Sequence, residues 1–137
     1  MSEQREHRTA AVWLLIALVA LEALVISAVF GWLIVQLFSS TPESFRSAVA
    51  LTALVGVIAA WLIATTIGLM ARSRWSRGSA VTWQVLQMAI AYGATQGDRP
   101  NWMVAPALFV PAVVVILLTL KASVRAQFGA GDSDERR

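Results

Sequence analysis

Residues 79–97 read SAVTWQVLQMAIAYGATQG, and the placement of this stretch decides the fold. A helix needs roughly 17 to 25 residues to cross about 30 Å of hydrocarbon, and this segment has the length. Its glutamines and threonines also fit a helix lying along a membrane surface. The next apolar segment separates the two readings. If 79–97 does not cross, that segment carries Lys121 and Arg125 outward, against the tendency of basic residues to remain cytoplasmic. A crossing helix keeps both inside. In helical projection Ala80, Gln84, Gln87, Ala91 and Thr95 share one arc, with Val81, Val85, Met88 and Tyr92 opposite. Amides facing lipid lack partners, so the polar arc is expected to face the interior of a bundle.

Three further apolar segments complete the reading, giving spans at about 10–38, 44–71, 79–97 and 101–121. The connections SSTPES, RSRWSRG and GDRPN are short and rich in turn-forming residues, so consecutive helices are antiparallel neighbours. The expected fold is all-α: a polytopic membrane protein, a single domain over 1–137 built as an antiparallel bundle of four transmembrane helices. The tails 1–9 and 122–137 are expected in the cytoplasm. Composition agrees, since 58% of the 137 residues are hydrophobic, 14% are charged and the mean hydropathy is +0.67. The first apolar stretch is about twice the 7 to 15 residues of a signal-peptide core and is read as retained.

Charge sets the orientation. With the N-terminus inside, Arg5, Arg8, Arg72, Arg74, Arg77, Lys121, Arg125, Arg136 and Arg137 are cytoplasmic, leaving Arg46 and Arg99 outside. Nine basic residues against two place both termini in the cytoplasm, the segments near Pro42 and Pro100 outside, and the protein in the cytoplasmic membrane. Trp13, Trp75 and Trp83 then fall at the inner interface and Trp102 at the outer, while Trp61 is too deep for an aromatic belt. Arg72, Arg74, Arg77, Lys121 and Arg125 form a basic inner collar that either sets topology alone or also attracts anionic lipid headgroups. The net charge of +3 is accounted for by this pattern, so nucleic acid is not an expected partner.

Helix packing has its own signature. In the second span Ala48, Thr52, Gly56, Ala60, Ala64 and Gly68 recur at every fourth position, a small-residue stripe that allows close approach of backbones in lipid. Ala23, Ser27 and Gly31 offer a shorter match in the first span. Either the first span or a second copy of the chain, as a homo-oligomer, fits against the stripe. In the fourth span Pro106 lies near the helix start, whereas Pro111 is internal and frees the carbonyl of Ala107, which predicts a kink.

The first span reads LVALEALVISAV over 18–29, with Glu22 near its midpoint. A charged carboxylate at the centre of a span costs about 2.5 to 3.5 kcal/mol on insertion scales, so Glu22 faces protein or water and is read as the neutral acid. Gln87 is expected at the same depth, with Gln84 on its arc and Trp61 at a similar level. In one reading Glu22 and Gln87 share hydrogen bonds that fix helix pairing, and the protein is a structural, accessory or interaction component packed against itself or a larger membrane complex. In the other, Glu22 is the proton-exchanging site of a small carrier or channel. No enzymatic arrangement is read: the chain has no cysteine, its one histidine is His7, and no cofactor or metal site is expected.

Two resemblances rest on these residues. Four short spans with an isolated glutamate in the first resemble the layout of the small multidrug resistance transporters, which implies proton-coupled transport of small molecules through Glu22. The third span here, WQVLQMAIAYG, departs from that family's Trp-Ser/Ala-Gly motif, and the nine-to-two charge asymmetry departs from dual insertion. The stretches RSRWSRGSAVTWQVLQ (72–87) and LLTLKASVRAQFG (117–129) are similar to small four-span membrane proteins of actinobacteria, a resemblance that implies the four-span fold and no particular activity.

Overall fold

The computed structural model describes residues 2–39, 44–96, 100 and 102–121, and side chains from residue 10 onward. These residues form four α-helices and no strand: α1 Ser2–Ser39, α2 Phe45–Met70, α3 Arg74–Gly93 and α4 Val104–Leu120. The tail and connection residues 40–43, 97–99, 101 and 122–137, Pro42, Arg99 and Arg125 among them, lie outside the described residues.

Local chemistry sets the helix ends. Ser44 caps α2 from an extended conformation (φ −133°, ψ 101°), and its side-chain oxygen accepts the backbone N–H of Ser47 at 3.4 Å. At the other end the N–H of Ser73 bonds the carbonyl of Gly68 and the N–H of Arg72 that of Leu69, at 2.9 and 3.1 Å. This is a Schellman turn, and its left-handed position is filled by Arg72 at φ 55° where glycine is usual. The chain therefore reverses within Ala71–Ser73. The sequence reading of RSRWSRG as connection is corrected: α3 begins at Arg74, so Trp75 to Gly78 are helical. At its other end α3 stops at Gly93 instead of 97. The first helix likewise starts earlier than expected, at Ser2, and α4 starts later, with Pro106 in its first turn, where no intrahelical N–H is required.

Gly68 lies against Ser76 and Thr65 against Ser79, so α2 and α3 run in opposite directions. The same reversal relates α1 and α2, where Phe30 faces Gly56 and Ala23 packs with Leu62. The broadest shared faces are α1 with α2 and α3 with α4; α2–α3 and α1–α4 close the ring. One core cluster joins all four helices through Val12, Leu15, Val19, Leu69, Ala80, Val115 and Leu118. It sits at the end of the bundle that also carries Arg72, Arg74, Arg77 and Lys121. A second cluster of Ala23, Leu62 and Trp83 continues the core toward the middle.

The small-residue stripe of α2 is only partly buried. Thr52 and Gly68 are buried, Ala48 and Gly56 half-buried, and Ala60 and Ala64 exposed. A four-residue step turns about 40° beyond a full circle, so six such positions sweep roughly 200° around the helix and cannot share one face. The buried line is instead Thr52, Ala59, Leu62, Thr65, Gly68 and Leu69.

Two helical segments, Ala10–Ser39 and Phe45–Met70, are long and apolar enough to cross a membrane; α4, with 17 residues, is a shorter apolar helix. Only 28% and 22% of the most apolar windows of those two segments are buried, whereas the core helix of a soluble protein is mostly buried. Their outward faces carry Leu24, Val25, Trp32, Leu54, Val57 and Ile67.

Candidate functional site

Glu22 occupies the middle of α1, half-buried against α3. Its Oε2 accepts two hydrogen bonds, from Gln84 Nε2 at 2.9 Å and from Trp83 Nε1 at 3.1 Å. Adjacent residues on a helix point about 100° apart, so Trp83 and Gln84 reach one carboxylate oxygen from two sides. Trp83, expected in an aromatic belt, is 4% exposed and packs in the core of the bundle. Gln84 is fully buried. Gln87, expected to pair with Glu22, is also buried and lies against that carboxyl, and its amide nitrogen donates to the carbonyl of Leu108 on α4 at 3.2 Å. Pro111, inside α4, has no N–H for the carbonyl of Ala107; Gln87 bonds the neighbouring carbonyl, which the proline does not free.

A second network ties α2 to α3. Trp61 Nε1 donates to Ser79 Oγ at 2.7 Å, and Thr65 Oγ1 donates to the carbonyl of Trp61 at 2.8 Å. With the Thr65 hydrogen so directed, the 2.7 Å contact between Thr65 Oγ1 and Ser79 Oγ has Ser79 as donor. Thr66 bonds only within its own helix, to the carbonyl of Leu62. The indoles of Trp61 and Trp83 meet edge to face, 6.3 Å apart at 87°, and join the two networks.

Three buried acceptors in this region have no hydrogen-bond partner: Oε1 of Glu22, of Gln84 and of Gln87. Beside two of them lies a cavity of about 200 Å³ bounded by α1, α3 and α4. Glu22, Trp83 and Gln87 form its polar wall, and Leu18, Leu21, Val25, Ala107, Leu108 and Pro111 line most of the rest. Its mouth lies between α1 and α4, where Leu21, Val25 and Ala107 are exposed. Chemically the site offers acceptors, an apolar surround and no neighbouring positive side chain among its lining residues. No group of three or more His, Cys, Asp or Glu able to hold a metal occurs among the described residues.

The remaining residues singled out in the sequence lie elsewhere. Gly56 faces Phe30, and Gly68 packs against Trp75 and Ser76. Arg72, Arg74, Arg77 and Lys121 cluster at one end of the bundle, away from the Glu22 network. Sequence reasoning missed Trp83 and Ser79 as networked residues. Trp83 is three residues after Ala80 and four before Gln87, so the helical period that grouped the polar arc also reaches it.

Searches of protein-family models, of curated proteins and of solved structures each found no match to this chain.

Proposed function

We propose that this chain is a multi-pass protein of the cytoplasmic membrane whose four helices all cross the bilayer, with both termini inside. The observation that carries this reading is the inverted amphipathicity of α3. It buries Ser76, Gln84 and Gln87 while exposing Trp75, Val85, Leu86, Ile90 and Tyr92. In water such a helix would expose its apolar side and bury its amides; in lipid the same arrangement satisfies both. Nothing in α3 then needs a surface-lying position. The basic end of the bundle faces the cytoplasm, where each Lys or Arg near an anionic surface contributes about 1 kcal/mol of attraction, weakening with salt.

Within that membrane, the role best supported is structural: an accessory or interaction component rather than an enzyme. The interior polar side chains bond helix to helix, with α3 as the hub. Trp83 and Gln84 reach α1, Ser79 reaches α2, and Gln87 reaches α4. A second reading, a proton-coupled carrier, is favoured by the cavity that reaches Glu22.

Two substitutions separate them. Glu22→Gln keeps an acceptor for the Trp83 and Gln84 N–H groups and removes a titrating proton, whereas Glu22→Leu strands both donors. The structural reading expects the Gln variant to melt in detergent like wild type and to retain its cellular activity. It expects the Leu variant to lose about 1 to 2 kcal/mol. A Gln variant that folds normally and loses all cellular activity contradicts the structural role and leaves the carrier.

A further inference from the structure

We infer that the flank between α1 and α4 holds one anionic phospholipid of the cytoplasmic leaflet, with its phosphate at Lys121 and the end of one acyl chain in the cavity beside Pro111. The inference rests on the membrane reading above, which places the basic end of the bundle at the inner surface. On α4, Ala107, Pro111, Val114, Leu118 and Lys121 follow one another at steps of four, three, four and three, the spacing of a single helical face. The first two line the cavity, and the last is the exposed C-cap of the helix. Leu14, Leu18, Leu21 and Val25 repeat that spacing along α1, the last three at the cavity and Leu14 toward the basic end. α1 and α4 share the narrowest face of the ring, and Leu14, Leu21, Val25, Val114 and Leu117 are exposed. An apolar groove therefore runs from the cavity to Lys121.

Depth, charge and shape select the occupant. Lys121 lies ten residues beyond Pro111, about 15 Å along the helix and half of the roughly 30 Å of hydrocarbon. A phospholipid whose phosphate meets Lys121 has its chain ends at the depth of the cavity. Among the residues whose side chains are described, the one acid is Glu22, at the far end of the groove, whereas Arg74, Arg77 and Lys121 share its cytoplasmic end. That polarity matches an anionic head followed by an uncharged chain. A helix of a second copy or of a partner is about 10 Å across and would cover the groove without entering the cavity. The cavity is about 200 Å³, little more than the about 150 Å³ that holds benzene, and it suits the end of a chain. Left empty, its lining loses dispersion contacts that a flexible hydrocarbon restores.

The test uses the purified full-length chain, delipidated in detergent, and three probes: dioleoyl phosphatidylglycerol, dioleoyl phosphatidylcholine and a phosphatidylglycerol with six-carbon chains. Native mass spectrometry counts the lipid bound, and the shift in melting temperature with lipid concentration gives the affinity. One dioleoyl phosphatidylglycerol is expected per chain, bound about fivefold more tightly than the phosphatidylcholine, the worth of one charge contact. Lys121→Gln is expected to remove that preference. Arg72→Asn, which keeps a residue tolerant of the left-handed turn on the opposite side of the ring, is expected to retain most of it. The six-carbon lipid stops short of the cavity and is expected to bind more weakly, by a margin that shrinks in Ala107→Phe and Val25→Phe, which fill the cavity mouth. Equal losses in Lys121→Gln and Arg72→Asn would mean a diffuse basic surface and overturn the inference. So would a long-chain advantage that is unchanged in both filling variants. Binding in detergent does not depend on topology, so absence of the preference in a chain of the expected topology refutes this inference alone, and a reversed topology refutes the membrane reading.

Discussion

Trp83 shows how much of this interior depends on single donors. Its indole N–H and the Gln84 amide hold one oxygen of Glu22, and its ring edge meets Trp61, so one side chain contributes to both polar networks. Trp83→Phe keeps a ring against Trp61 and removes only the N–H. It is expected to cost about 1 kcal/mol, the net worth of an interhelical hydrogen bond. Denaturation in detergent of Trp83→Phe, Glu22→Leu and the double variant tests this: the double loss should fall short of the sum, and strict additivity would mean that the bond contributes nothing. The sequence located Glu22 and the inward arc of Gln84 and Gln87, yet did not find Trp83 beside the acid. The reason is depth. Counted from residue 79, Trp83 lies one turn into its helix, at an interface; counted from the actual start at Arg74, it lies in the third turn, level with Glu22.

At the scale of the element, α2 and the turn after it differ most from their sequence patterns. The second and fourth apolar segments gave helices within about three residues of their expected bounds, and the first extends back to Ser2, because long apolar runs mark a helix more reliably than they mark its ends. The α2–α3 turn was less legible. Its left-handed position is occupied by Arg72, so the glycine that usually marks a Schellman turn is absent from the sequence. The every-fourth-residue stripe was legible as composition but not as one face, because strict spacing of four drifts around a helix. Its two glycines differ in consequence. A Cβ on Gly68 would lie 2.9 Å from Ser76 Cβ and from the Trp75 ring, while one on Gly56 would meet only the rim of Phe30, at 2.7 Å. Ser76 is buried and cannot swing aside, whereas Phe30 is half-buried and can. Gly68→Ala is therefore expected to destabilise by about 1 to 3 kcal/mol, within the range of overpacked sites, and Gly56→Ala by less. Melting temperatures of the two variants give the order directly, and a reversed order would refute this account of the α2–α3 contact.

For the whole molecule, apolar clusters fill the interior as in a protein in water, but large apolar side chains also cover the outside. Gln84, Gln87, Trp61, Trp83, Ser79, Thr65 and the central carboxylate of Glu22 bond across helix faces, most other hydroxyls bond within their own helix, and aliphatic and aromatic side chains stand outward on every helix. The all-helical architecture comes from apolar length, whereas the proposed crossing of α3 rests on its inward amides and outward apolar side chains and on the charge pattern at its two ends. The chain has no cysteine, so single cysteines report topology without background. Cysteines are placed one at a time at Ser44, Arg72 and Pro100 and exposed to a membrane-impermeant thiol reagent in intact cells. Labelling at 44 and 100 from outside, with 72 labelled only after permeabilisation, is the expected result. Labelling at 72 in intact cells, or at 100 only after permeabilisation, would contradict a bundle in which α3 crosses the membrane with both termini in the cytoplasm.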